Sequence, residues 1–322
     1  MTYRIRNFTP NDYEQVVQVY NAAKPDYPTT VEEMQHDDRH VAPQCKFQRW
    51  VAELNGRIVG VAWYEQREDR FHAQKFWIDG YVYPKFEKQG IGSALYETVI
   101  NELQPFDPIL ALCAAEENRI HSVQFLLKRG VQEASRHWIS RLNLSAFDLT
   151  PYTGLEQKLK AQGIEIKTFA ELASDPERNR KLYELREEIQ QDVPAAGGMP
   201  PTPMSFERFV ESHLSGPNFM PDGFFVAVHK GEYIGRSNFH GADGKKIIHT
   251  GLTGVKRPYR RRGIALALKI KGIQYAKHHG YERVETQNNS INRPMLSINE
   301  RLGFTKQPAI IVFKKVFREE TA

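Results

Sequence analysis

Only two cysteines, Cys45 and Cys113, occur in 322 residues. That is too few for a disulfide framework, and neither stands in a metal-ligand spacing. They fit a reducing cytoplasm. Long apolar runs are missing as well: nothing approaches the roughly 20 residues needed to span a bilayer. The opening residues, Met1-Thr2-Tyr3-Arg4-Ile5-Arg6, lack the apolar core of a signal peptide. A cytoplasmic protein without a membrane partner is expected. Also absent is any basic stripe interleaved with aromatics. The formal charge is +5, and the densest basic run is Arg260-Arg261-Arg262. No recognition motif surrounds it, so nucleic acid is not an expected partner.

What is present is ordinary for a chain with real cores: 40% hydrophobic and 26% charged residues. The length suggests two domains, at about 100–200 residues each. An internal repeat says the same. Val255-Lys256-Arg257-Pro258-Tyr259-Arg260-Arg261-Arg262-Gly263-Ile264-Ala265 reads as a strand end, an arginine-rich turn and a helix start. Val82-Tyr83-Pro84-Lys85-Phe86-Glu87-Lys88-Gln89-Gly90-Ile91-Gly92 has the same layout 173 residues earlier. Val51–Gly60 matches Val226–Gly235 at offset 175, and Phe125–Val131 matches Ile298–Phe304 at offset 173. Near-constant offsets over three landmarks indicate a tandem duplication. Domains are expected at 1–148 and 149–322.

Each half reads as a strand, a helix, a hairpin, a strand feeding the glycine turn, the turn's helix, then strand, helix and strand. Asn55-Gly56 is the strongest hairpin signal. The second half carries one insertion, 192–203, with four prolines and two glycines. That length of loop is often functional.

The turn before Gly263 has a chemical meaning. The first amides of a helix lack intrahelical partners and attract anions, phosphate above all. Gly263 and Ala265 keep bulk away from that backbone, and three arginines add positive charge.

Arg260-x-x-Gly263-x-Ala265 after a strand, with Asn292 and Asn299-Glu300-Arg301-Leu302-Gly303-Phe304 downstream, resembles the GNAT (general N-acetyltransferase) superfamily in its tandem form. The resemblance spans both halves in element order and is sequence-specific at these landmarks. It implies an α/β fold: two GNAT-like domains, each a mostly antiparallel, splayed, twisted sheet flanked by helices. It implies acetyl-coenzyme A as cofactor; the leading expectation for the acceptor is a primary amine of a small molecule. The pyrophosphate ligands would be backbone amides of Arg261, Arg262, Gly263, Ile264 and Ala265, behind Arg260. The amide of Val255, on a bulged strand, would polarise the thioester carbonyl, and Asn292 would contact the pantetheine arm. The general acid's place is taken by Asn299 in one half and Leu126 in the other.

His249 lies six residues before Val255, where some family members carry a glutamate base. Its counterpart is Phe76, and the counterpart of Arg260 is Glu87. Both differences favour the C-terminal half as the main site and a degenerate or structural N-terminal half. Asp192, Glu285 and His240, polar groups near the expected acceptor end, read as loop or rim residues, with the role of base as their alternative. Asp79 reads as a bulge residue or a remnant acid. No well-placed cysteine or serine suggests a covalent intermediate, so direct attack in a monomer or homodimer is expected. Two rival readings stay open: a coenzyme A-binding sensor or scaffold, and an enzyme acting on a protein or peptide amine.

Overall fold

A computed structural model describes residues 2–195, 198–240 and 246–320. In chain order the elements are β1 (Arg4–Asn7), α1 (Tyr13–Ala23), α2 (Val31–Arg39), β2 (Phe47–Leu54), β3 (Arg57–Glu65), β4 (Lys75–Val82), α3 (Ile91–Leu103), β5 (Leu110–Glu116), α4 (Ile120–Leu127) and β6 (Gln132–Asn143). They continue with α5 (Leu155–Lys160), β7 (Ile164–Thr168), α6 (Arg178–Gln190), α7 (Phe206–His213), β8 (Phe224–His229), β9 (Glu232–His240), β10 (Ile247–Thr250), β11 (Gly254–Val255), α8 (Ile264–His278), β12 (Arg283–Asn289), α9 (Arg293–Arg301), β13 (Thr305–Lys306) and β14 (Ile310–Val316). No helix among the described residues is long and apolar enough to cross a membrane.

The chain forms two compact units. The first comprises Met1–Ser135, Ala196–Thr202 and Ile311–Ala322; the second comprises Arg136–Ala195 and Pro203–Ile310. A single cut at 148/149 therefore divides neither unit from the other. The strand expected to close the first repeat, His137–Leu142, belongs to the second unit, where β6 pairs with β12 from Arg283↔Asn143 to Asn289↔His137. The last strand serves the first unit, beside β5. The insertion is divided too. Met199 packs with Ile109, Leu110, Leu112 and Val312 in a core of the first unit. Ala196 and Gly197 of that loop lie outside the described residues.

In the first unit the strand order is β1-β2-β3-β4-β5-β14, with β1 to β4 antiparallel and β4 parallel to β5. In the second it is β6-β12-β10-β9-β8-β7, antiparallel except for β10 and β12. The two hairpins repeat in detail. Asn55 and Gly56 have φ 51° and 75°, and Lys230 and Gly231 have φ 50° and 81°. Those paired left-handed residues make the tight turn whose twist matches the strands. Each hairpin also carries a register shift at the matching place, Ala52/Glu53 and Ala227/Val228.

The turn helices hold the cores. Ile91, Leu95, Val99 and Leu103 place a helical stripe of α3 on the sheet of the first unit. In α8, buried residues lie all round the helix, from Ile264 to Ala276. Gly280, φ 76°, follows its last turn.

Separate expression of 1–148 and 149–322 should give two fragments without a cooperative melt. The first loses Ile311, Val312 and Phe313, and the second loses Ile139, Leu142 and Leu144, all buried. Each costs roughly 1.5–3 kcal/mol, against a total stability of about 5–15 kcal/mol. Thermal circular dichroism on both fragments checks this. A sharp transition in either would mean that the exchanged strand is dispensable.

Candidate functional site

Each unit carries a cradle at the start of its turn helix, and the two backbones agree closely. Lys88 and Gly90 have φ 61° and 85°; Arg261 and Gly263 have φ 64° and 88°. A short 3-10 turn precedes each, Pro84–Phe86 and Arg257–Tyr259. Alternating right- and left-handed residues turn successive amides to one side, which makes an anion-binding nest at a helix N-terminus. Gly263 needs its glycine, because its φ disfavours a side chain and a Cβ would sit 3.2 Å from Leu155.

The strand before each cradle opens on one side. In the second unit β10 pairs with β12 only from Ile247↔Arg283 to His249↔Glu285. Beyond that, β11 pairs with β9, and its register is displaced by one residue from that of β10. The extra residue is the bulge expected on this strand. It is held by Gly251 N–H to Asn238 O at 2.7 Å and by the Ser237 and Thr253 hydroxyls at 2.8 Å. Lys256 N–H donates to Ile234 O at 2.9 Å. Amides alternate sides along an antiparallel strand, so the Val255 amide faces away from β9, into the gap left by β12.

Three of the four proposed bases converge beside that gap. His249 Nδ1 lies 3.6 Å from Glu285 Oε1, and His240 stacks on His249 at 5.8 Å between ring centroids. Arg141 clamps Glu285 Oε2 through Nε at 2.9 Å and Nη2 at 2.7 Å. Glu285 is 2% exposed. A histidine beside a carboxylate that is itself fixed by a guanidinium is placed to accept a proton. Burial, with His249 second, pushes His240 down to about 4. That keeps it neutral near pH 7.

The sequence model of the acetyltransferase (GNAT) family matches residues 14–131 and 182–304. The chain belongs to the GNAT acetyltransferase family. A mycothiol acetyltransferase from Thermobifida fusca is 26% identical over 205 residues, covering 59% of this chain and 60% of the relative. One from Streptomyces coelicolor is 23% identical and covers 80% of this chain and 76% of the relative. Two solved structures share the fold over nearly the whole chain. A tandem GNAT protein from the clavulanic acid biosynthesis pathway has TM-score 0.75 at 19% identity, covering 99% of this chain and all (100%) of that one. A GCN5-related N-acetyltransferase from Sphaerobacter thermophilus has TM-score 0.71 at 20% identity, covering 99% of this chain and 97% of that one.

Other expected GNAT residues stand in less direct positions. Arg260 donates through Nε to Val255 O at 3.0 Å and so ties the cradle to its strand. Arg262 donates to Pro258 O at 3.3 Å and lies over the Tyr259 ring. Ile264 is buried and Ala265 partly buried in the core beneath the cradle. Asn292 caps α9, accepting from Met295 N–H at 3.4 Å. Asn299 is 1% exposed and donates to Asn288 Oδ1 at 2.7 Å, while its own Oδ1 lacks a partner. An amide cannot release a proton at neutral pH, so Asn299 positions rather than acidifies.

Asp192 is away from the acceptor end, where it was expected. It bridges the cradle arginines, Arg257 at 2.6 Å and also Arg260. The Arg257 guanidinium holds its carboxyl below the usual range. An anion in the cradle competes with this carboxylate.

The first unit departs more from expectation. Its β3–β4 register runs unbroken from Gly60↔Val82 to Glu65↔Trp77, so Asp79 is not a bulge residue. β5 pairs with β4 only from Lys75↔Leu110 to Trp77↔Leu112. The strands then part around a cleft of about 330 Å³. Tyr83 N–H donates to Val59 O at 2.8 Å, so the Val82 amide faces that opening by the same alternation. Glu87 stands at its mouth with Lys88 and Arg119. Phe76 is buried between Tyr64 and Phe106 and has no polar role. Leu126 lines the apolar wall.

Proposed function

We propose that the chain transfers acetyl from acetyl-coenzyme A to the primary amine of a small molecule, by direct attack, and that the second unit is the principal site. The observation that carries this reading is the Val255 amide, turned into the gap between β11 and β12 beside His249. The nest at Arg261–Ala265 suits the pyrophosphate of the cosubstrate, since glycine at 263 leaves the amides bare. Arg261 and Arg262 add charge, and Asp192 yields Arg257 and Arg260 when the anion enters. His249, oriented by Glu285, receives a proton from the ammonium directly or through water. The amine attacks the thioester carbon while the Val255 amide stabilises the oxyanion. The departing thiolate takes its proton from the attacking nitrogen or water, because Asn299 has none to give. Two free thiols suit a reducing cytoplasm.

One observation favours a second reading, a coenzyme A-binding sensor or scaffold: the missing ionisable acid at Asn299. Thiol release from acetyl-coenzyme A across an amine panel separates the two, since a sensor binds without release.

Gly263→Asp should weaken acetyl-coenzyme A at the principal site by at least about 100-fold, because like charges near 4 Å repel by about 4 kcal/mol at an effective dielectric of 20. Calorimetric titration of the full chain, with the thiol-release assay alongside, checks this. Undiminished binding and turnover would remove the second unit from the reading.

A further inference from the structure

We propose that the first unit holds a second acyl-transfer site, in which Asp79 takes the proton of a primary ammonium group arriving from the face covered by α1 and α2. This rests on acetyl-coenzyme A as donor, the reading given above, and adds a separate catalytic centre with its own base.

Three arrangements carry it. The first is the backbone: the Lys88–Gly90 cradle, the parted β4 and β5 strands, and the Val82 amide facing the cleft repeat the features of the second unit. With Glu87 where the second unit has Arg260, the nest has the same backbone, and Lys88 and Arg119 line the cleft together with Glu87.

The second is the placement of Asp79. It lines the cleft floor, where it accepts from Gly80 N–H at 2.8 Å and Tyr81 OH at 2.9 Å. Both donors lie on its own strand, so the carboxylate ties no two elements together. The nearby Lys24 is engaged by Glu116 at 2.8 Å. A partly buried carboxylate with purely local bonds has no evident structural task, and it lies three residues from an inward amide.

The third is access. Asp79 and Tyr81 project to one face of β4. There Tyr20 of α1 meets the Tyr81 ring at 5.2 Å and Trp63 meets it at 5.9 Å. Behind the Tyr20–Tyr81 pair lies a second cavity of about 320 Å³, which shares Val61 with the cleft. Its wall includes Asp37 beside His36, Glu65 paired with Arg67 at 3.1 Å, and the Arg49–Asp38 pair. The cradle thus lies at the cleft, Asp79 lines the same cleft, and the second cavity shares Val61 with it.

The step balances. The ammonium gives one proton to the Asp79 carboxylate. The free amine forms a C–N bond to the thioester carbon, and the C–S bond breaks. The second nitrogen proton passes to the sulfur, giving amide and thiol, and Asp79 then returns its proton to solvent.

Burial pushes the Asp79 carboxyl up to about 6, against opposing bonds from Tyr81 and Gly80. The groups facing it are Tyr20 of α1 and Lys24 just after it, Glu65 of β3, Tyr81 of β4, and Cys113 and Glu116 of β5. Burial raises Tyr20 and Cys113 to about 12 and pushes Tyr81 well above the usual phenol range, so none of these three titrates near 6. A raised carboxyl is protonated below about 6 and becomes a base above it. Turnover at this site therefore rises with pH through that value.

The test uses the full chain carrying Gly263→Asp, or Val255→Pro if that variant does not fold. Acetyl-coenzyme A is titrated calorimetrically. Thiol release is then measured with n-butylamine, 1,4-diaminobutane and spermidine from pH 5 to 8. With Gly263→Asp one bound donor per chain is expected, and with Val255→Pro two; in either background release rises through about pH 6. Adding Asp79→Asn should lower release by about 10²–10⁴, leave donor affinity within about twofold, and erase the pH limb. Asp79→Glu should restore part of it. The proposal is overturned by an absence of donor binding at the first unit, by binding without release from any of the three amines, or by release indifferent to Asp79→Asn. Each of these outcomes leaves the principal-site reading intact so long as the unsubstituted chain releases thiol.

Discussion

Val255→Pro should lower kcat for the principal acceptor by about 10²–10³, the usual cost of one oxyanion donor, with acetyl-coenzyme A affinity changed only severalfold. Proline has no N–H, yet this strand position loses no ladder bond by its absence. Lys256 N–H, not Val255 N–H, reaches Ile234 O at 2.9 Å. Strand prolines are tolerated where the amide side is unpaired, and the preceding Gly254 accepts the extended backbone that proline demands of its neighbour. The missing donor matters because the oxyanion forms only as the amine attacks, so kcat falls rather than binding. Val255 is 7% exposed, and its side chain packs in the core of the second unit. Val255→Ala therefore serves as the control, since it removes packing but keeps the amide. Steady-state kinetics, calorimetry and a thermal melt on both variants decide the matter. Equal losses of kcat in the two would assign the effect to packing and take the oxyanion role away from Val255.

Much of this site was legible because its chemistry is local. The Gly90 and Gly263 turns, the Asn55-Gly56 hairpin and the constant offset all lie within short windows, where a backbone requirement selects the residue. Helix α2 was missed although its start is written in the chain. Thr30 and Glu33 form a capping box, with Glu33 N–H donating to Thr30 Oγ1 at 3.1 Å. Its nine residues bury no side chain fully, so apolar periodicity gave no signal. The strand exchange was hidden for another reason. An apolar run such as Ile310–Phe313 states that it needs a sheet, not which sheet. The same limit hid the Arg141 clamp on Glu285, whose partners stand 144 residues apart. Asp79 was visible as a charge between Ile78 and Gly80. Only the unbroken register of β3 and β4 removes the bulge reading and returns it to the cleft.

His249→Ala should lower turnover at the principal site by about 10²–10⁴, the range for loss of a positioned proton acceptor, and should remove a limb of the pH profile. The sign follows from the role. A base must be neutral to accept a proton, so acetyl transfer rises with pH as the imidazolium of His249 deprotonates. Without the imidazole that rise disappears. The substitution leaves Glu285 buried, but both Arg141 bonds remain, at 2.9 and 2.7 Å, so the carboxylate is not stranded. His249→Phe copies Phe76 of the other unit and keeps a ring against His240. It should match alanine in rate while melting closer to the original chain. The acceptor amine titrates too and can imitate the same limb, so one acceptor must serve throughout, at saturating and at limiting concentration. Amine titration follows the acceptor into every variant, whereas the His249 limb leaves with the residue. An unchanged profile in folded His249→Ala would transfer proton removal to water or Glu285. Acetyl transfer itself would still stand, because the nest at Gly263 and the inward amide of Val255 do not depend on this imidazole.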